Sequence, residues 1–562
     1  MPSSLVELRV LDGPNLYFPR AAIKLTLDVT ALSEAEGPLV TRLAERIGLR
    51  NVRPGEPGSG FRQRFVARAT ARLVRQIAAE SGATRLAVRV RPTNDPHQLV
   101  VAYPWRRRDR AQELGRAVAE VLDALPNPDV VALVGTAAER VRAADAGEAP
   151  RTLRPKVPVI AVTGTNGKTT TSRLIAHIAR VQGLHVGWSS TDGIYVDGVL
   201  VEAGDYSGPS GAGRVLSHQG VELAVTETAR GGILLRGIGL VSNDVSVVTN
   251  VSADHLGLHG IDTVDQLAEV KSVVARITKP SGWSVLNADD PRVLAMRTTI
   301  KARPWVTSRD PDSPALREVI SSGGRATTVI DGWLSVLRPD SDPDPLLEVV
   351  DIPMTLAGLS RFNVENALSA ASAALAIGLA REVVVEGLRT FRPGPDHNPG
   401  RMNSYSVGDV TVVIDLAHNE AGVEALLEIM HGLRAPDARV LLGLGTAGDR
   451  TDELLRSLGE IAARGADLVV VVHKMEYLRG REPDEMADLF REGAAHVGVS
   501  ELTAYDTELA GLVALVGAAE PGDVVGIMCH QDRPGIQSWI HEQGGTVDSP
   551  ETLSQKVRSA KL

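Results

Sequence analysis

Apolar residues recur along this chain with two different periods, and the change between them divides it. In the first 150 residues, Ile23-Lys24-Leu25-Thr26-Leu27-Asp28-Val29 and Arg85-Leu86-Ala87-Val88-Arg89-Val90 alternate, or nearly so, as half-exposed strands do. Leu99-Val100-Val101-Ala102-Tyr103 is expected to pair with the second of them. Helical repeats follow at about 109–125 and 130–144, so this stretch reads as α+β. Gly147-Glu148-Ala149-Pro150 breaks the pattern, with Pro155 and Pro158 just beyond. From about 156 to 395 strands alternate with helices, as in a mostly parallel sheet. Within it, 326–337 reads as a hairpin around Asp331-Gly332, a favoured type I′ pair, and 339–345 as a Pro/Asp-rich loop. Thr263-x-x-Gln266 is a capping box that opens a helix to about Ile277. After a Pro/Gly-rich linker at 392–400, strand–helix units return, with strands at 410–415, 440–443, 468–473 and 524–529. That spacing predicts a small Rossmann-like open sheet.

Chemistry concentrates where the second period begins. The apolar run Val159 to Thr163 feeds Gly164-Thr165-Asn166-Gly167, and a helix opens on Lys168-Thr169-Thr170. Backbone N–H groups and a helix N-terminus suit phosphate oxygens, the lysine supplies charge, and the threonine hydroxyl suits Mg²⁺. The general pattern G-x-x-x-x-G-K-[ST] would put glycine at 162, where Val162 stands. In open parallel sheets ligands gather beyond the C-terminal strand ends. The run 221–226 delivers Glu227 there, and 245–249 leads to Asp254 and His255. Mg²⁺ takes hard oxygen ligands, which Glu227 and Thr169 offer; His255 is softer but acceptable. Lys271 sits on the flank of the stripe Leu267, Val270, Val274, Ile277, where the plain reading is a snorkelling lysine with its amine in water. The fold class is therefore α/β in three domains. They are an N-terminal α+β domain over 1–152, a central P-loop ATPase domain over 153–396, and a C-terminal Rossmann-like domain over 397–562.

Composition narrows the setting. A chain of 562 residues exceeds one core, and with only 3% aromatic residues its cores must be aliphatic. A net charge of -9 argues against nucleic acid as a partner. Cys529 is the only cysteine, which excludes an intrachain disulfide and suits a reducing cytoplasm; its apolar strand makes it a core residue. No window approaches a membrane-spanning run and the first residues carry no signal-peptide pattern, so a cytoplasmic location and no membrane partner are expected. Arg64, Arg68, Arg72 and Arg75 recur at helical spacing beside Phe61, Phe65, Ala69 and Leu73. They read as a solvated face, or as a docking surface for an acidic peptide or polymer.

Three ordered strings resemble the Mur ligase family: Gly164-Thr165-Asn166-Gly167-Lys168-Thr169-Thr170, Glu227-Thr228-Ala229-Arg230-Gly231-Gly232, and Thr249-Asn250-Val251-Ser252-Ala253-Asp254-His255. Leu286-Asn287-Ala288-Asp289-Asp290-Pro291, Pro399-Gly400-Arg401-Met402-Asn403, Asp415-Leu416-Ala417-His418-Asn419 and Gly448-Asp449-Arg450 continue the match. Within the family the strings look most like the cyanophycin-synthetase branch, which Val10-Leu11-Asp12-Gly13-Pro14-Asn15 also resembles. The ATP-grasp domain of that branch is replaced here by a short linker. Leu416 and Glu420 depart from the family's Tyr and Pro.

The resemblance implies an ATP-dependent, ADP-forming amide ligase. Its acid would be a small-molecule or peptide-like carboxylate, activated as an acyl phosphate, and its second substrate an amino acid or amine. It implies catalytic roles for Lys168, Glu227, His255 and Lys271. ATP contacts are implied at Gly164, Thr165, Asn166, Gly167, Lys168, Thr169, Thr170, Asn366, Arg401 and Asp415. Mg²⁺ would be held by Thr169, Glu227, His255 and a carbamylated Lys271. A homo-oligomer is expected. Two alternatives stand beside this: a nucleotide-binding regulatory or scaffold subunit that has lost ligation, and a P-loop kinase or GTPase. The second lacks a guanine-reading Asn-Lys-x-Asp.

Overall fold

The computed structural model describes residues 2–49, 53–125, 129–254 and 256–560. Its secondary structure gathers into three sheets. The first is antiparallel throughout, in the order Leu5–Leu11, Ala22–Asp28, Gln98–Pro104, Arg89–Pro92. The strand expected at 85–90 begins only at Arg89, which lies opposite Ala102. Extending it back would bring Ala87 opposite Pro104, which has no N–H for the ladder. The helix Gly60–Glu80 packs on this sheet, but Phe61 is exposed while Phe65, Ala69 and Leu73 are buried. Its one fully buried arginine is Arg62, whose guanidinium donates to the carbonyls of Leu32, Ser33, Ala35, Pro54 and Gly55. It ties the preceding loops to the helix.

At the heart of the second sheet lies Val159–Thr163, between Leu223–Glu227 and Asn243–Val248 and parallel to both. Parallel neighbours continue outward to Val186–Ser189 on one side and Arg325–Ile330 on the other, and antiparallel hairpins close both edges. One edge hairpin is the turn expected at Asp331-Gly332, with φ of 49° and 83° and Ile330 opposite Trp333. Helices cover both faces, as burial of all-apolar parallel strands requires. One face packs on Lys168–Val181 and Arg361–Ile377, the other on Val264–Arg276. The capping box closes on the last of these, Thr263 accepting from Gln266 N–H.

The third sheet has Val440–Leu444, Val524–Met528 and Val410–Asp415 at its parallel centre. Asn403–Val407, Thr503–Tyr505 and Thr546–Val547 extend it, three outer strands too short or too polar to read from periodicity. Among the described residues no helix is long and apolar enough to cross a membrane.

The first sheet is not a separate bead. Leu11, Leu16, Tyr17 and Phe18 share one hydrophobic cluster with Val159, Ala161, Leu267, Val270 and Val274 of the central unit. Backbone bonds reinforce this seam: Asp12 N–H donates to Arg236 O at 2.7 Å and Ile238 N–H to Pro14 O at 2.7 Å. Arg91 adds a two-pronged pair to Glu269 on the helix that carries Lys271. At Gly13 a Cβ would lie 1.8 Å from the Ile238 carbonyl oxygen, so only glycine allows the two backbones this close. We expect Gly13→Ala to lower stability by about 1–3 kcal/mol through overpacking, read as a fall in melting temperature of the whole chain. An unchanged melting temperature would refute the close seam.

Candidate active site

The phosphate loop takes its shape from the strand beside it. Val162 lies opposite Glu227 and Thr163 opposite Val248, so three strand ends share one edge. The loop after Asn243–Val248 then grips the turn: Thr165 N–H donates to Asn250 O at 2.8 Å and Asn166 N–H to Asn250 Oδ1 at 2.9 Å. Thr249 Oγ1 donates to Asn166 O at 2.6 Å. Gly167 caps the helix with φ of 84°, and a Cβ there would stand 2.2 Å from Asn366 Oδ1. That left-handed N-cap turns backbone N–H groups toward the cleft, as an anion site needs.

Thr169 Oγ1 donates to Glu227 Oε2 at 2.9 Å, bringing two residues 58 positions apart together at the loop. Glu227 is buried, and its second oxygen has no partner. Burial raises its pKa, against the pull of Lys168, the Thr169 hydroxyl and Arg401. Lys168 Nζ meanwhile rests on Thr165 O at 2.8 Å. Lys271 is not the snorkelling residue its stripe position suggested. It is buried at 3% exposure, and Nζ donates to Gly164 O at 2.6 Å beneath the loop. Burial, reinforced by Lys168, lowers its pKa to about 7. Its stem packs in the helix's buried face, and the loop carbonyl replaces water as the amine's partner.

The C-terminal unit closes over this edge. Arg401 Nη2 reaches Thr169 Oγ1 at 3.5 Å, and the side-chain amides of Asn166 and Asn419 bond each other at 3.1 and 3.4 Å. Asp415 accepts from Met402 N–H at 2.9 Å, and burial pushes its pKa up to about 6. Asn398 Nδ2 donates to Thr170 Oγ1 at 3.3 Å, and Asn366 accepts from Thr171 Oγ1 at 3.2 Å. Between the units lies a cleft of about 540 Å³. Lys168, Glu227, Lys271, Asn366, Arg401 and Asp415 all line it. Of the residues expected at the site, His255 lies outside the described residues; the others converge.

Several groups in this region were not expected from sequence. Asp192 sits between Arg173 and Arg533, pairing with both; Arg533 comes from the C-terminal unit and bonds at 2.7 Å. Burial of Asp192 works against ionisation, but Arg173, Arg533 and Arg401 outweigh it and hold its pKa below the usual range. Arg173 is only 3% exposed, so this carboxylate is what keeps a buried cation paired. Arg230, Arg450 and His530 also line the cleft. The strand-end rule that singled out Glu227 would have found Asp192 and His530, since each follows the last residues of a parallel strand.

The model of the Mur ligase middle domain matches residues 162–374, and that of the Mur ligase glutamate ligase domain matches residues 400–529. The chain belongs to the Mur ligase family. It is 43% identical over 406 residues to a cyanophycin synthetase of Synechocystis sp., an alignment spanning 72% of this chain and 44% of that one. The chain thus spans less than half the length of this curated relative. A UDP-N-acetylmuramoyl-L-alanyl-D-glutamate–2,6-diaminopimelate ligase of Geobacillus kaustophilus is 28% identical over 392 residues, covering 66% of this chain and 73% of that ligase. Among solved structures, a bifunctional folylpolyglutamate synthase/dihydrofolate synthase with Mn, AMPPNP and L-glutamate bound has a TM-score of 0.51 at 16% identity. It covers 68% of this chain and 89% of that one, and shares the fold of this Mur ligase family member.

The buried carboxyl of Glu227 makes stability depend on pH. Its folded pKa is raised above the unfolded value of 4.5, so ionisation costs stability as pH climbs past that value and up to the folded pKa. We expect Glu227→Gln to match the parent in melting temperature at about pH 4 and to exceed it at about pH 8. Thermal melts across that range check it; a variant less stable at high pH would contradict the assignment.

Proposed function

We propose that this chain is an ATP-dependent, ADP-forming amide ligase that joins an amino acid or amine to a peptide-like carboxylate through an acyl phosphate. The observation that carries this reading is the pairing of a phosphate loop with Glu227, whose second buried oxygen lacks a partner, in a cleft roofed by the unit of the third sheet. The same division supports domains at 1–152, 153–396 and 397–562.

In this reading the backbone N–H groups around Gly164 to Thr170 bind the phosphates. Lys168 exchanges the Thr165 carbonyl for a phosphoryl oxygen and neutralises charge as the γ-phosphoryl group passes to the carboxylate. Arg401, reaching over Thr169 from the second unit, adds charge only when the units are closed. Asn366 and Asp415 line the same cleft and would hold the nucleoside. The donor set also fits a divalent cation, Mg²⁺ in this proposal, since the Thr169 hydroxyl and the unpartnered Glu227 oxygen are hard, preplaced oxygens. Bound there, the cation would supply positive charge to the phosphate oxygens. His255 would join it. Lys271 has the property that carbamylation needs: with its pKa near 7, a fraction of the amine is neutral at physiological pH and able to add CO₂. A ligation-dead subunit would leave the open cleft and the unpartnered Glu227 oxygen without use.

The deciding experiment is an ADP-release screen of amino acids and amines against short acidic peptides and small acids, with mass spectrometry of the product. An amide product is expected, and Lys168→Ala should lower its formation at least about 10²-fold while the fold is retained. A phosphorylated acceptor, or phosphate release without an amide, would overturn the ligase reading. Lys271→Ala is expected to be inactive and partly restored by acetate or another small carboxylate. Full activity without added carboxylate would remove Lys271 from the mechanism.

A further inference from the structure

The wall that the third sheet contributes to the cleft carries a group the scheme above leaves unused. Val524–Met528 ends just before Cys529, and one side chain holds the loop that follows. Glu508, fully buried, accepts from the backbone N–H of His530 at 2.6 Å, of Gln531 at 3.1 Å and of Asp532 at 2.9 Å. It also accepts from Cys529 Sγ at 3.1 Å and pairs with Lys474, an equally buried cation that donates to Met528 O. Burial disfavours its charge, but Lys474 and this ring of donors outweigh that and keep it a carboxylate. A loop clamped this tightly holds its side chains in fixed directions.

The side chain it holds against the cleft is His530. Both of its ring nitrogens are shielded from solvent and lack a partner. A neutral imidazole has one donor and one acceptor, and leaving either unsatisfied costs about 1–3 kcal/mol. Its neighbour His418 spends Nδ1 on the Leu416 carbonyl at 3.0 Å; His530 spends neither nitrogen. Facing the cleft with no protein partner, both nitrogens are available to a ligand, and an ammonium group offers the N–H that the ring's free lone pair can accept.

We propose that His530 receives the ammonium group of the incoming amine and takes a proton from it. The inference rests on the ligase reading of this same cleft. The step is R′CO–OPO₃²⁻ + RNH₃⁺ + His530 → R′CO–NHR + HPO₄²⁻ + His530-H⁺. The C–N bond forms, the C–O bond to phosphate breaks, one amine proton goes to the ring and one leaves with phosphate. In the free protein, burial and the charges of Lys474, His418, Arg401 and Arg450 hold the ring's pKa well below its ordinary value, so it is neutral. Glu508 faces the loop's backbone and Lys474, with its charge spent there. Phosphates drawn to Arg401 and Arg450 offset the opposing cations and raise the ring's basicity once substrate is in place.

The test uses the full chain with the acid and amine found by the ADP-release screen, comparing the parent with His530→Gln and His530→Ala. Hydroxylamine, unprotonated at neutral pH, traps the acyl phosphate as a hydroxamate without needing a base. Hydroxamate formation is expected at the parental rate in both variants, which also shows that they are folded. Amide formation with the physiological amine is expected to fall about 10²-fold or more. The acid limb of its pH–rate profile should disappear, and added imidazole should restore part of the rate to His530→Ala. Parental amide rates in both variants, or amide and hydroxamate falling together, would overturn the proposal. A parent protein that forms no hydroxamate with any acid would overturn the ligase reading itself, and this step with it.

Discussion

One constraint organises the cleft: Val159–Thr163 lies in parallel register between Leu223–Glu227 and Asn243–Val248. Parallel strands end on the same side, so the loops after all three must meet. The first becomes the phosphate loop, the second ends in Glu227, and the third grips the first through Thr249 and Asn250. A slip of one residue would turn Glu227 to the other face of the sheet and separate it from Thr169. The apolar packing on both faces is thus what holds a carboxylate 2.9 Å from a hydroxyl.

Burial then sets the electrostatics. The carboxyls of Glu227 and Asp415 have raised pKa values, while those of Lys271, His418 and His530 are lowered. Every one of these shifts favours the neutral form, and desolvation leads each. Asp192 and Glu508 go the other way, the first kept charged by arginines from both units and the second by Lys474 and backbone donors. The neutral forms of these buried groups leave the charge of the cleft mainly to its lysine and arginine side chains, Lys168, Arg401 and Arg450 among them. Anionic ligands and their counter-cations would reverse that balance, which couples binding to the protonation of the lining.

Much of this was legible in the chain. The phosphate loop is local, and a contiguous string carries its own geometry. Glu227 could be named because strand ends in a parallel sheet point to ligands, and the Thr263–Gln266 box and the Asp331-Gly332 turn are governed by neighbours within four residues. The features that escaped are pairings across long separations. Arg533 meets Asp192 over 341 positions, and no periodicity reports that. The stripe alone gives Lys271 a solvent-facing amine, because a helical pattern tells which face is buried but not what lies opposite; here it is the Gly164 carbonyl. Arg62 stands outside the helical row of Arg64, Arg68, Arg72 and Arg75, and only the folded chain shows the carbonyls of five residues converging on it. The outer strands were missed because edge positions carry weak patterning.

The seam between the first sheet and the central unit has a consequence for how the molecule comes apart. Leu16, Tyr17 and Phe18 are buried in the same cluster as the helix that bears Lys271, and Arg91 is forked onto Glu269 of that helix. Detaching the N-terminal sheet would strip apolar cover from the back of the phosphate site and loosen the lysine beneath it. The two units should therefore lose their structure in one step, with the nucleotide pocket reporting on the integrity of a region far from it in sequence.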